Sequence, residues 1–105
     1  MKVRVTRELV EGRYQVTFQV GEFTSEEVKK MSQFGTPTIT LTRTQNGQNT
    51  RFNAPITQIP QLVAAYSSEE SAKEYESEVV QQLKTAIIGI RVRQDKFSSI
   101  EEIAL

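Results

Sequence analysis

The sequence predicts an α+β domain: a four-stranded antiparallel sheet built from two hairpins in the order ββαββα, with helices packed on one face and a short C-terminal helix. Three observations lead there. Residues 2–20 and 38–56 each alternate apolar and polar side chains with a period of two, broken by Glu11-Gly12 in the first stretch and Asn46-Gly47 in the second. Residues 24–34 and 67–90 instead space their apolar side chains three or four apart. No low-complexity linker separates the halves, so residues 1–105 are expected to form a single domain with one shared core.

In the first hairpin, Val3 and Val5 alternate with Lys2, Arg4 and Thr6. Beyond the turn, Tyr14, Val16, Phe18 and Val20 alternate with Gln15, Thr17 and Gln19. Period two buries one face and wets the other. Gly12 can take the positive φ of a tight turn. A helix then opens at Thr24, whose hydroxyl suits an N-cap, and Glu27 three residues on completes a capping box. Phe23 and Val28 are spaced to form a hydrophobic staple, and Val28, Met31 and Phe34 make the inner face. Gly35 stops this helix and Pro37 prevents its continuation.

The second hairpin sets Ile39 and Leu41 against Thr38, Thr40 and Thr42, then Phe52, Ala54 and Ile56 against Arg51 and Asn53. Asn-Gly between two alternating runs is a strong hairpin signal. Residues 60–66 read as a short helical turn opened by Pro60. Ser67 or Ser68 then caps a long helix, with Glu69 and Glu70 favourably placed in its first turn. Its stripe is Ala72, Tyr75, Val79, Leu83, Ala86 and Ile90. Residues 86–93, AIIGIRVR, also alternate as a strand would. The helix is preferred to about Ile90, because the stripe keeps its phase and no turn residue intervenes. Ser98 is read as the cap of a last short helix carrying Ile100, Ile103 and Leu105. Residues 23–27 (FTSEE) echo residues 66–70 (YSSEE), through a ββα unit used twice or through the small vocabulary of helix starts.

Composition narrows the function. Thirteen basic residues balance thirteen acidic ones, so no global field draws the protein to nucleic acid or anionic lipid. No apolar run approaches the ~18 residues of a membrane span. The first seven residues alternate in polarity, unlike a signal peptide. A cytoplasmic protein without membrane association is expected. With no cysteine and no histidine, thiol chemistry, disulfides, zinc sites of the usual kind and histidine-based triads are excluded. The glycines at 12, 21, 35, 47 and 89 match no phosphate-binding loop. Glu69, Glu70, Glu74, Glu76 and Glu78 are explained by a solvated helix surface. Tyr14, Tyr66 and Tyr75 fall at core or staple positions. No catalytic, cofactor-binding or metal-ligating residue stands out, and no enzyme is expected.

Two surfaces remain as candidates. The polar sheet face and second hairpin tip offer Lys2, Arg4, Arg43 and Arg51 to an anion such as a nucleic-acid phosphate. The strand aromatics Tyr14, Phe18 and Phe52 all fall in the buried phase, so base stacking is missing and nucleic acid is the less favoured partner. The long helix carries surplus apolar side chains, Val80, Ile87 and Ile88, beside its stripe. A homodimer with Leu83, Ile87 and Ile90 near its centre would bury them. The expected function is that of a small non-enzymatic binding and assembly module, acting through protein–protein contact with a second copy or an unidentified protein partner; the alternative is a weak nucleic-acid-binding domain.

Overall fold

The structure, a computed structural model, describes residues 1–104, with side chains described through Ile90. The elements are β1 (Lys2–Val10), β2 (Arg13–Gly21), α1 (Ser25–Phe34), β3 (Thr38–Gln45), β4 (Gln48–Pro55), β5 (Ala64–Tyr66) and α2 (Glu69–Ala104). The α+β class holds, and both hairpins form where the alternation places them. Each is closed by a two-residue turn with positive φ at both centres: 50° and 77° at Glu11-Gly12, 53° and 76° at Asn46-Gly47. That backbone matches the right-handed twist of the flanking strands.

The single four-stranded sheet does not form. The strands divide into a three-stranded sheet, β1-β2-β5, and a two-stranded sheet, β3-β4, all antiparallel. The reason lies in β5. Residues 60–66 do not make the expected helical turn; Ala64–Tyr66 pairs with Tyr14–Val16 and takes the side of β2 that a second hairpin would have needed. Backbone groups join the two sheets toward the Gln45 end of β3. There the Thr44 amide donates to the Val63 carbonyl at 3.0 Å, and the Ala65 amide donates to Thr44 Oγ1 at 2.8 Å.

The expected short C-terminal helix is not a separate element. One helix runs from Glu69 to Ala104, so residues 86–93 are helical and Ser98 lies inside the helix. The side chains of Ile100 and Ile103, and the whole of Leu105, lie outside the described residues. Ser68 supplies the N-terminal cap, its hydroxyl accepting from the Ser71 amide at 3.2 Å. In α1 the capping box is complete: Thr24 Oγ1 accepts from the Glu27 amide and the Glu27 carboxylate accepts from the Thr24 amide. Gly35, at φ 94°, closes that helix by donating to the Met31 carbonyl. Its inner face is turned from the expected one. Lys30 and Met31 are buried while Val28 is 53% exposed. The Met1 ammonium lies 2.7 Å from Glu27 on the inward side of the helix.

The core joins both sheets to the helices: Val16 and Phe18 from β2, Ile39 and Leu41 from β3, Ala54 and Ile56 after them, Ala64, Met31, and the α2 stripe Ala72, Tyr75, Val79, Leu83 and Ile90. Tyr75 is its hub. Its ring meets Phe18 edge-on at 5.6 Å and Tyr66 at 5.5 Å, while its hydroxyl reaches β3. Aromatic pairs of this kind add about 0.5–1.5 kcal/mol each beyond area burial.

Candidate interaction edge

A strand at the margin of a sheet presents peptide groups that need partners. In β3 the residues whose N–H and C=O point away from β4 are Thr38, Thr40, Thr42 and Thr44, a consequence of the Gln45↔Gln48 closing pair and strict alternation. The amides of the last three are occupied. The Gln82 carboxamide accepts from the Thr40 amide at 2.8 Å and donates to the Thr40 carbonyl at 2.9 Å, as a neighbouring peptide would. The Tyr75 hydroxyl accepts from the Thr42 amide at 3.0 Å. Val63 takes the Thr44 amide. Helix side chains and one loop carbonyl therefore stand in for a missing strand. Burial raises the pKa of the Tyr75 phenol, partly offset by the hydrogen bond from the Thr42 backbone. Burial also raises that of Tyr66.

Strand β1 has the same geometry without the seal. The closing pair Val10↔Arg13 puts the outward peptide groups at Val3, Val5, Arg7 and Leu9. No hydrogen bond from the rest of the described residues reaches them. Apolar side chains lie exposed along this strand: Leu9 is 64% exposed, with Val3 and Val10 at 37% and 39%. Val5 packs partly against the core, which puts Val3, Arg7 and Leu9 on the helix side with it. Arg7 closes that side by a two-pronged ion pair with Glu76 of α2, its Nε 2.9 Å from one carboxylate oxygen and its Nη2 on the other. Between them, Arg7, Leu9, Tyr14, Ala72 and Glu76 line a cleft of about 160 Å³. The cleft is smaller than the several hundred Å³ usual for ligand pockets.

The sequence-derived candidates are distributed as follows. Lys2 and Arg4 project from the face of β1 opposite the helices, Lys2 within 3.0 Å of Glu22. Arg43 and Arg51 occupy opposite faces of the second hairpin: Arg43 shares a face with Leu41 and Thr50, Arg51 with Thr42, and Arg51 lies 3.6 Å from Glu78. The four cations therefore do not converge on one surface. Among the strand aromatics, Phe18 is buried and Tyr14 and Phe52 are half-buried. On α2, Leu83 and Ile90 are enclosed by their own chain, Ile87 packs partly against the same core, and Ile88 is 58% exposed. Glu69, Glu70, Lys73 and Glu74 are all exposed, with Lys73 paired to Glu69 at 3.1 Å. No described helix is long and apolar enough to cross a membrane.

Sequence reasoning missed the β1 edge as a site because an edge is a property of the assembled sheet. The signal present was Leu9-Val10, two apolar residues beside a polar turn. No family model matches the chain, and no curated protein or solved structure is similar to it.

Proposed function

We propose that this protein is a small non-enzymatic assembly module that joins another polypeptide by strand addition along β1. The observation that carries the reading is the nine-residue β1 strand, with four outward-facing residues lacking backbone partners among the described residues and exposed apolar side chains alongside. Strand addition draws affinity from main-chain hydrogen bonds and specificity from alternate side chains. The β4 margin suits this less well: its outward residues are Asn49, Arg51 and Asn53, it ends in Pro55, and it carries no apolar side chain beyond half-buried Phe52 and buried Ala54. The α2 seam around Leu83, Ile87 and Ile90 offers a partner only Ile87, since the other two belong to the internal core.

A photo-crosslinking residue at position 9 or, separately, at position 53 tests the reading in the protein's native cells. Adducts heavier than the chain are expected from position 9 and not from position 53. Equal yields from both, or none from position 9, would remove β1 as the contact.

A further inference from the structure

Resting on that reading, we infer that the polypeptide added at β1 is a second copy of this chain, paired antiparallel about a two-fold axis with Thr6 opposite Thr6. Only the odd residues 3, 5, 7 and 9 present free peptide groups. Self-pairing must therefore set odd against odd, and the symmetry axis passes through one residue. A centre at Arg4, Arg7 or Glu8 would oppose like charges. A centre at Val5 would set Arg4 against the partner's Thr6, and would give Glu8 only Lys2, which already has Glu22.

The centre at Thr6 pairs the charges and the apolar ends, and leaves Val5 facing the aliphatic stem of the partner's Arg7, whose guanidinium is held by Glu76. Arg4 falls opposite the partner's Glu8, and Glu8 opposite the partner's Arg4. Within one chain these two side chains face Gln19 and Gln15 and have no ion-pair partner among the described residues. Val3 falls opposite the partner's Leu9, so the most exposed apolar residue of β1 meets the other apolar end of the same face. Val10 falls opposite the alkyl stem of the partner's Lys2. The two Thr6 side chains meet at the axis, where a Thr–Thr pair is favourable. The axis stands perpendicular to the sheet, so both copies keep α2 on the same side. The two three-stranded sheets become one, in the order β5-β2-β1-β1-β2-β5.

The test is charge exchange in the purified full chain, read by sedimentation equilibrium across low to high micromolar concentration. The wild type is expected to rise from 11.9 kDa toward twice that mass. Arg4→Glu replaces two attractions by two repulsions and should raise the dissociation constant roughly tenfold to a hundredfold. Adding Glu8→Arg should bring it back to within about threefold of wild type, because the exchanged charges again face each other. Both positions are exposed, and circular dichroism checks that each variant folds. The amides of Val3, Val5, Arg7 and Leu9 should gain hydrogen-exchange protection as concentration rises, while those of Arg4, Thr6 and Glu8 are already protected by β2. A dimer that the double variant does not restore would overturn the Thr6 register and leave β1 as an assembly edge. A monomer throughout would overturn the second copy as occupant, while a position-9 adduct with a different protein would still uphold strand addition.

Discussion

Thr40 and Thr42 on β3 present the same outward peptide groups as Val5 and Arg7 on β1, yet the two edges are finished differently. On β3 a carboxamide and a phenol from α2 occupy the hydrogen-bonding positions, and the side chains alongside are threonines. On β1 the peptide groups stay open, and the nearest helix contact, Arg7 with Glu76, involves side chains only. One helix thus closes the middle of one edge, at Thr40 and Thr42, and touches the other without closing it. The lesson is that an edge need not be shielded by bulk or by charge: two correctly spaced polar side chains, seven residues apart on a helix, can satisfy it. Where such side chains are lacking, the edge remains a template for another strand.

The comparison breaks most severely at Tyr75. Tyr75→Ala removes the ring contacts with Phe18 and Tyr66 together with the Thr42 cap, and should cost about 3–5 kcal/mol in urea denaturation. A loss under about 1 kcal/mol would mean that the core closes without its hub. Next in size is Gln82→Leu, which keeps the volume and leaves both Thr40 peptide groups unpartnered in a half-buried setting. The expected cost is about 1–3 kcal/mol. Unchanged stability would show that the Thr40 groups do not need the carboxamide.

Alkaline pH probes the same seal. Burial raises the phenols of Tyr75 and Tyr66 above the ordinary value of 10.0, so the folded state favours their neutral forms. Their contribution to stability is complete below that ordinary pKa and is lost as pH rises through the raised one. The urea midpoint should therefore fall on going from neutral pH to about pH 11, and the fall should be shallower in Tyr66→Phe. An identical slope in the variant would assign the loss elsewhere. The smallest effect on stability belongs to the open edge. Leu9→Lys changes an exposed side chain and should shift stability by no more than about 0.5 kcal/mol, while reducing association at β1. Destabilisation well beyond that would place Leu9 within the folded core and close the contrast between the edges.

Local chemistry was legible in the sequence wherever neighbours along the chain decide the outcome. The Thr24–Glu27 box, the Gly35 stop, both two-residue turns and the Ser68 cap all formed at the residues named for them. The α2 stripe from Ala72 to Ile90 is buried except at Ala86, which is half-buried. What stayed hidden depends on residues far apart. The three residues of β5 are too few to show alternation, and they become a strand because Tyr14–Val16 lies beside them. Val28 looked apolar and inward, but α1 buries Lys30 beside Met31 and leaves Val28 exposed. Gln82 lay outside every candidate drawn from the sequence. It stands seven residues after Tyr75, on the flank of the apolar stripe, and a polar side chain placed there was the available hint of a buried task.

The β3 seal also has a consequence for the order in which the molecule assembles. Thr40 and Gln82 are 42 residues apart in the chain. The β3-β4 hairpin, by contrast, closes through a two-residue turn and forms on the microsecond scale. The hairpin ends at Pro55, so during synthesis at about 5–20 residues per second a finished hairpin waits roughly 1 to 5 s before Gln82 has even been added. Throughout that interval the nascent chain carries β3 with an open margin and Ile39 and Leu41 uncovered. The threonines at 40, 42 and 44 and the charged Arg43 are then all that separates the growing chain from its neighbours on the same message.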